Sequence, residues 1–353
     1  MKRIDGLLDA AIARKASDLH ISAGKPPMIR VRGQLVAARN ASATKEEVEG
    51  WLLELLGREQ IEKLQRERDL DFAWAHGEKA RFRASYFYKS TGLGGVFRQI
   101  PHTIASLDEL KAPDVLTDIA ELRAGLVLVT GPTGSGKSTT LAAMIRHINH
   151  SRPCHILTIE DPIEFVHTPA MARITQREIG RHAPDFATAM RSAGREDADV
   201  ILVGELRNAE TMSLALRLAS FGVLVLGTLH TNSAPSTIDR FVNAFGAEEQ
   251  PMVRSLLADS LAAVVAQELL PTEKDGRCAA HEVLLGSSAL GTLIRDGKTY
   301  QIPNVMQAGR SQGMQTMDGA LVRLTITGVI SPETALARAR DREWVARTIK
   351  SPV

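Results

Sequence analysis

The segment GPTGSGKSTT, from Gly131 to Thr140, contains the spacing Gly-x-x-x-x-Gly-Lys-Ser. The apolar run GLVLV precedes it and the helical pattern LAAMIRHINH follows it. Backbone N–H groups of such a loop, with the N-terminus of the next helix, face a phosphate anion. The spacing therefore predicts a site for ATP and Mg²⁺, where Lys137 reaches the β- and γ-phosphates and Ser138 ligates the metal. The predicted nucleotide-binding residues are Gly131, Pro132, Thr133, Gly134, Ser135, Gly136, Lys137, Ser138 and Thr139.

Carboxylates follow two further apolar runs. TIEDPIEFVH carries Glu160, Asp161 and Glu164, and DVILVGE ends at Glu205. A carboxylate in the first segment is placed to orient or deprotonate the attacking water, and Glu205 to hold the magnesium shell. The pattern leaves open which glutamate is the base, and a solvated acidic loop is the alternative for TIEDPIEFVH.

Basic side chains complete the set of candidates. His230, in GTLHTN, follows a fourth apolar run, so its imidazole can sense the γ-phosphate or link it to a neighbouring subunit; a histidine with a local hydrogen bond is the alternative. Arg81, Arg83 and Arg98 lie far before the loop, in strand-like segments. In a ring they can act in trans, as fingers that neutralise transition-state charge, or they can lie on solvated strand faces.

Four apolar runs are expected to position these side chains: GLVLV, HILTI, DVILV and GVLVLG, separated by helical patterns. Runs without alternation are typical of fully buried parallel strands. Because the carboxyl ends of such strands face the ligand crevice, the polar residues after each run are predicted to converge on one nucleotide. The predicted fold class is α/β.

The chain is predicted to divide into several parts. Residues 1–100 form a small α+β domain, since PPMIRVRGQLV, ARFRASYFY and LGGVFRQI alternate between turn residues. PHTIASLDELKAP, residues 101–113, is a predicted linker. Residues 114–272 form the nucleotide-binding core, and residues 273–353 are mainly helical.

Composition excludes some classes of protein. A net charge of +2 over 353 residues gives no electrostatic case for nucleic-acid binding. The two cysteines, Cys154 and Cys278, are far apart in the sequence, which favours a reducing cytoplasm over a disulfide framework. No run approaches the roughly 20 apolar residues of a transmembrane helix, and the N-terminus is predicted to be an amphipathic helix.

With these motifs in order, the chain resembles the PilT family, the retraction ATPases of type IV pili within the secretion-ATPase superfamily. ASDLHISAGKPPMIRVRG is similar to the family's opening signature, and GPTGSGKSTT to its Walker A motif. TIEDPIEFVH is similar to its Asp box, REDADVILVGELRNAET to its Walker B motif and GTLHTNSA to its His box.

The resemblance implies a PAS-like first domain, a RecA-like second domain and a homohexameric ring with ATP between subunits. It implies roles for Lys137 and Ser138 in the Walker A motif, Glu164 as the water-activating carboxylate, Glu205 in the Walker B motif and His230 in the His box. It also implies an inner-membrane platform protein as partner, a second retraction ATPase as a further one, and a peripheral location at the cytoplasmic face of the inner membrane.

Three positions depart from the family pattern. Phe221-Gly222-Val223 stands where the family has Thr-Gly-His, Gly291 stands where an arginine is expected, and Gly194 replaces a leucine. These departures are expected to affect the coupling of ATP hydrolysis to pilus retraction more than hydrolysis itself.

Several alternatives stay open at this stage. An assembly or secretion ATPase of the same superfamily usually carries an additional N-terminal domain and a tetracysteine motif, which this sequence lacks. The sequence does not distinguish an accessory retraction motor of the PilU type from a retraction motor of the PilT type. A RecA-like nucleic-acid translocase would need a basic channel, and a nucleotide-sensing regulator would need no turnover.

Overall fold

The computed structural model describes residues 2–31, 33–77, 79–100, 103–274 and 276–350. The chain forms two compact units. The first comprises Met1–Thr103 with Pro162–Val166, and the second comprises Ile104–Asp161 with His167–Val353. The described residues contain no helix long and apolar enough to cross a membrane.

The part of the first unit that the structure describes combines three helices with six strands. In chain order they are α1 Asp5–Ala13, β1 Asp18–Ser22, β2 Met28–Val31, β3 Gln34–Ala37, α2 Lys45–Leu53, α3 Arg58–Glu67, β4 Asp69–His76, β5 Ala80–Lys89 and β6 Gly92–Ile100. The strands form one antiparallel sheet in the order β3-β2-β1-β6-β5-β4. The alternating segments of the sequence correctly predict β2, β3, β5 and β6.

The alternation in β5 shows why this sheet has one apolar and one polar face. Phe82, Ala84 and Tyr86 are buried in the core of the unit, whereas Arg81 and Arg83 are only partly covered. Successive side chains of a strand point to opposite faces, so the arginines lie on the face away from this core. Arg83 is directly opposite Arg98 of β6 in the strand register.

In the second unit, the described residues form seven strands and eleven α-helices. They are α4 Val115–Glu121, β7 Gly125–Thr130, α5 Lys137–Ser151, β8 His155–Glu160, β9 Arg173–Glu178, α6 Phe186–Ala193, β10 Val200–Val203, α7 Ala209–Ser220, β11 Leu224–Leu229, α8 Ala234–Val242, α9 Gln250–Ser260, β12 Leu261–Pro271, β13 Arg277–Leu285, α10 Ser288–Arg295, α11 Ile302–Ala308, α12 Met317–Ile326, α13 Pro332–Arg338 and α14 Arg342–Lys350. Two short 3-10 helices lie at Thr299–Gln301 and Arg310–Gln312.

The strands of this unit form one sheet in the order β13-β12-β7-β11-β10-β8-β9. The four strands expected from the apolar runs, β7, β8, β10 and β11, are neighbours and parallel, as predicted. Alternate residues of each strand enter two different apolar clusters: Leu126 and Leu128 enter the one with α6 to α9, and Val127 and Val129 the one with α4 and α5. Both faces are therefore buried, which explains the lack of alternation in the sequence.

Three strands of this sheet are absent from the sequence prediction. β9 is parallel to β8 at one edge, and β12 is parallel to β7 on the other side. β13 pairs antiparallel with β12, so the predicted boundary between residues 272 and 273 falls within a hairpin. The segment after this hairpin is helical, and α12, α13 and α14 form a small apolar cluster with Leu270 and Ala280 of the hairpin.

The predicted linker, residues 101–113, also looks different in the structure. Pro101 and His102 lie outside the described residues. From Ile104 onward the segment belongs to the second unit, and Leu107 is buried in the apolar cluster beneath α4 and α5. A buried apolar residue anchors this segment to the nucleotide-binding unit, so residues 104–113 are not a free connection.

Candidate functional site

The glycine-rich loop connects β7 to α5 and requires glycine at two of its positions. Gly131 has φ 143° and Gly136 has φ 89°, both in the region that disfavours L side chains. A Cβ at Gly131 would collide with the Gln267 carbonyl oxygen, and one at Gly136 would lie 2.9 Å from Gln267 Nε2. The backbone therefore turns tightly enough to present its N–H groups at the start of the helix.

Helix α5 begins at Lys137 and places its N-terminus beneath this loop. It is held in place by Leu141, Met144, Ile145 and Ile148, which recur at helical spacing and are buried. The positive end of a helix dipole and the N–H groups of the first helical turn attract anions. The buried apolar residues further along α5 therefore fix the helix, and its N-terminus is thereby positioned to bind an anion.

The Lys137 side chain is buried inside the loop. Its Nζ donates to the carbonyl oxygens of Gly131 at 2.7 Å and Pro132 at 3.2 Å. Ser138 and Thr133 are exposed, so their hydroxyls are accessible to a ligand. Ser135 Oγ is buried without a hydrogen-bond partner among the described residues. A buried hydroxyl without a protein partner and a buried ammonium in the same loop suit a phosphate group, so the residues present fit a nucleotide.

Gln267 of β12 supports the loop from behind and is missing from the sequence prediction. Its Nε2 donates to the Ser135 carbonyl at 2.6 Å, and its Oε1 accepts from Thr140 Oγ1 at 2.8 Å. Both ends of this buried amide are therefore satisfied. The only hint in the sequence is a polar residue within the apolar run LAAVVAQELL. A buried amide in a strand needs a partner, but the run does not say which one.

His281 of β13 lies directly across the strand ladder from Gln267. It is 2% exposed, and its Nε2 has no hydrogen-bond partner among the described residues. Burial, reinforced by the charge of Arg323, lowers the His281 pKa to about 4. Burial likewise lowers the pKa of His167 to about 4. Both imidazoles are therefore neutral near pH 7.

Glu205 and His230, two of the predicted site residues, meet at the ends of β10 and β11. His230 Nε2 lies 3.1 Å from Glu205 Oε1. Arg207, two residues after Glu205, places its Nε 2.9 Å from Glu205 Oε2. The Glu205 carboxylate is thus shared between an imidazole and a guanidinium. Arg207 is a second site residue that the sequence analysis does not identify, although its proximity to Glu205 in the chain offered a hint.

The residue after His230 ties this region to the loop strand. Thr130, the last residue of β7, donates from its Oγ1 to the Thr231 carbonyl at 2.6 Å. The Thr231 hydroxyl is also 2.7 Å from Thr130 Oγ1 and 2.7 Å from Thr237 Oγ1 in α8. The glycine-rich loop and the His230 segment therefore begin from strand ends that are hydrogen-bonded to each other.

The carboxylates after β8 separate into two environments. Glu160 belongs to the second unit, where its Oε1 accepts from Thr158 Oγ1 at 2.7 Å and from Gln176 Nε2 at 3.3 Å. Glu164 belongs to the first unit, and its Oε1 lies 3.7 Å from Arg83 Nη1. The structure thus places Glu164 beside one of the predicted arginines.

The three predicted arginines belong to the first unit and differ in their partners. Arg83 Nη2 lies 3.3 Å from Asp71 Oδ2, in addition to its pairing with Glu164. Arg98 Nε donates to Asp18 Oδ1 at 2.9 Å. Burial raises the pKa of Asp18, but hydrogen bonds from Ser17 and Arg98 outweigh that effect and lower it overall. Arg81 Nε is buried without a hydrogen-bond partner among the described residues.

A metal ion at this site would need ligands beyond the protein. The described residues include no group of three or more His, Cys, Asp or Glu side chains that could hold a metal ion. Mg²⁺ is usually bound through one or two protein ligands together with substrate phosphates and water. The exposed Ser138 hydroxyl and the Glu205 carboxylate are side chains of the suitable kind.

Comparison with known proteins identifies relatives along nearly the whole chain. Residues 1–339 match the family described as type II/IV secretion system protein. The chain is 50% identical over 318 residues to a twitching motility protein of Neisseria gonorrhoeae, covering 90% of this chain and 85% of that protein. It is 46% identical over 340 residues to the type IV pilus retraction ATPase PilT of Pseudomonas aeruginosa, covering 96% and 99%.

Among solved structures, the chain resembles a crystal structure of the pilus retraction motor PilT with bound ADP. The TM-score is 0.90 at 39% sequence identity, and the match covers 98% of this chain and 99% of the other. This similarity confirms the predicted α/β class, with an N-terminal α+β domain followed by a P-loop ATPase core.

Proposed function

The chain belongs to the PilT family of type IV pilus retraction ATPases within the type II/IV secretion system proteins, and from this premise we propose that it is the motor that retracts a pilus by hydrolysing ATP. The observation that supports the proposal is a convergence at one edge of the second sheet. There the glycine-rich loop and the Glu205–His230 pair follow neighbouring strands whose ends are hydrogen-bonded through Thr130 and Thr231.

The residues of this edge divide the work of holding Mg-ATP. The loop N–H groups and the α5 N-terminus orient the phosphates, and the Lys137 ammonium offsets their charge. The Ser138 hydroxyl would ligate Mg²⁺, and the Glu205 carboxylate would hold its coordination shell. When bound, ATP supplies the phosphoryl group whose transfer to water releases the free energy for movement. His230 holds the Glu205 carboxylate in place and responds to the phosphate side of the site.

Activation of the attacking water is assigned to Glu164, with Glu160 as the competing carboxylate. Glu160 already accepts hydrogen bonds from Thr158 and Gln176, whereas Glu164 faces one guanidinium at 3.7 Å. The assignment to Glu164 follows the resemblance of TIEDPIEFVH to the Asp box of the family. ATP turnover and nucleotide affinity of Glu164→Gln and Glu160→Gln separate the two: the base variant binds ATP normally and hydrolyses it slowly.

The assembly is proposed to be a homohexameric ring in which Arg81, Arg83 and Arg98 act on the nucleotide of a neighbouring subunit. Mixing a Lys137→Ala chain with a chain lacking the three arginines tests this, because some interfaces then join an intact loop to intact arginines. Partial recovery of ATPase activity is expected. A mixture that stays inactive, although mixed rings demonstrably form, contradicts the trans-arginine model.

The partners and location follow the same proposal. The ring acts at the cytoplasmic face of the inner membrane on a platform protein at the pilus base, alone or beside a second retraction ATPase. Deletion of the gene is the decisive experiment: retraction predicts lost surface motility with excess pili, and assembly predicts lost pili. Turnover of the purified ring with and without DNA separates the motor from a nucleic-acid translocase, whose activity DNA would stimulate.

A further inference from the structure

A buried carboxylate outside the nucleotide site joins three parts of the second unit. Glu282, in β13, is 1% exposed. Its Oε1 accepts from the backbone N–H of Ala234 at 2.7 Å, where α8 begins. Its Oε2 accepts from the backbone N–H of Met317 at 3.2 Å, where α12 begins. Glu282 therefore anchors the first residue of two helices.

The charge of Glu282 is balanced by Arg340, which comes from the junction between α13 and α14. Arg340 Nη1 donates to Glu282 Oε2 at 2.6 Å. Its second terminal nitrogen, Nη2, donates to the Asn232 carbonyl at 2.6 Å. The planar guanidinium thus uses both prongs, one on the buried carboxylate and one on the loop that follows His230.

Arg340 is itself held in place by the helices around it. The two carboxylate oxygens of Asp318, in α12, accept from the backbone N–H groups of Arg340 and Asp341, each at 2.8 Å. The Asp341 carboxylate in turn accepts from the Trp344 N–H at 2.9 Å, at the start of α14. The backbone of Arg340 is therefore held by α12, and this fixes the point from which its side chain extends to the loop.

These contacts complete the attachment of the loop from His230 to Asn232. His230 binds Glu205, Thr231 binds Thr130 and the Asn232 carbonyl binds Arg340. The first two attachments lead to the nucleotide site, and the third leads to the C-terminal helices. Three consecutive residues tied to three different partners leave the loop few ways to move independently.

We infer that Glu282 and Arg340 are positioning residues that set the placement of His230 and connect the C-terminal helices to ATP hydrolysis. The inference rests on the proposed function, because it assigns to these residues the control of that same site. Displacement of the α13–α14 junction breaks the hydrogen bond from Arg340 Nη2 to the Asn232 carbonyl. The loop from His230 to Asn232 then loses its attachment to the C-terminal helices. The C-terminal helices and the nucleotide site would accordingly respond to each other.

Arg340→Lys is the informative variant, since lysine keeps a cation beside Glu282 but cannot reproduce the two-pronged geometry. The expected result is a kcat about 3- to 10-fold lower, with the KM for ATP within about 2-fold of wild type. Hydrogen exchange of the backbone amides at residues 230–233 is expected to accelerate, while exchange in the glycine-rich loop stays unchanged. The exposed Arg338→Lys, on α13, is the matched control and should change neither quantity.

Glu282→Gln keeps the size of the side chain but removes the charge that holds Arg340. It should produce the same two changes, and it keeps the test decisive if Arg340→Lys does not fold. A fall in kcat without faster exchange at 230–233, or faster exchange without a fall in kcat, would overturn the inference while leaving the proposed function intact. A wild-type ring without ATP turnover would overturn the proposed function, and this inference with it.

Discussion

The two ends of the parallel strands in the second unit carry different kinds of residue. At the carboxyl ends lie the glycine-rich loop, Glu205 and His230, where side chains are charged and linked by hydrogen bonds. At the amino ends, Val223 precedes β11, Gly194 ends α6 before β10, and Gly291 lies in α10 against α9. Polar contacts there join helices and strand starts, as between Ser220 and Ser260 and between Asp259 and Arg295, and none of these residues belongs to the predicted site.

The three positions that we expect to depart from the family pattern all lie at the amino ends. Val223 is half-buried, and its carbonyl accepts from Gly125 N–H at 3.1 Å, a contact that any residue can make. Gly291 is buried, and a Cβ there would lie 3.3 Å from the Ala258 carbonyl oxygen, so α10 approaches α9 closely. The predicted chemistry of the site and these helix contacts are therefore separated by the length of a strand.

The largest effect is expected at the carboxyl ends, from Lys137→Ala. The variant removes the cation that faces phosphate in a buried loop, so kcat should fall by at least about 100-fold. The melting temperature should stay close to that of the wild type, because the ammonium donates to carbonyl oxygens of its own loop. Steady-state ATP turnover is the measurement. Turnover within a few-fold of wild type would contradict the assignment of the loop.

A smaller loss is expected from Gln267→Ala, which removes support behind the loop. The Ser135 carbonyl and the Thr140 hydroxyl would lose their buried partner, at a free-energy cost of about 1–3 kcal/mol. Nucleotide affinity should fall by about 2- to 10-fold if roughly half of that free-energy cost is lost from the loop conformation that binds nucleotide. Titration with a fluorescent ATP analogue measures it. Glu268→Ala, the adjacent half-buried position, is the matched control and should bind normally.

The sequence predicts the carboxyl-end site well because its parts lie at strand ends. Continuous apolar runs identify β7, β8, β10 and β11, and the polar residues after each run then share one edge of the sheet. β9 escapes prediction because RITQRE is a polar, half-buried edge strand without an apolar run. β12 and β13 are not predicted either, because only their pairing in the sheet distinguishes them from helices, and their composition does not.

The residues that the sequence analysis misses act through distant pairs. Gln267 reaches Ser135 across 132 residues, and Arg340 reaches Asn232 across 108. Neither belongs to a local motif, and each side chain has an ordinary structural role in its own segment. Only the folded sheet brings these partners together, whereas Lys137, Glu205 and His230 each follow a strand that the sequence reveals.

The free energy of unfolding is expected to depend on pH because of two buried histidines. Folding keeps His281 and His167 neutral, with pKa values of about 4, while an unfolded histidine has a pKa near 6.5. The unfolded state thus binds more protons between these values, so their contribution is complete above about pH 6.5 and is lost progressively as pH falls towards 4. At pH 5 the loss is about 2 kcal/mol per histidine.

Urea unfolding at pH 7 and pH 5 measures this loss. His281→Asn should reduce the difference between the two pH values, since its side chain does not titrate. His150→Asn, on the exposed side of α5, is the control and should leave the difference as large as in wild type. An undiminished difference in His281→Asn would mean that other groups cause the acid sensitivity.

The smallest effects are expected at the amino ends, where one substitution should act differently at two glycines. Gly194 has φ −62° and ψ −11°, and a Cβ there would meet only Leu218 Cδ2 at 3.9 Å. Alanine fits this conformation and restricts the unfolded chain, so Gly194→Ala should stabilise by about 0.4–1 kcal/mol. At Gly291 the gain of about 0.5–1 kcal/mol in helix propensity is opposed by the close Ala258 carbonyl, so Gly291→Ala should not stabilise. Melting temperatures of the two variants, with ATP turnover unchanged in Gly194→Ala, test the separation of the two ends: a large loss of turnover in Gly194→Ala would show that the amino ends take part in the chemistry after all.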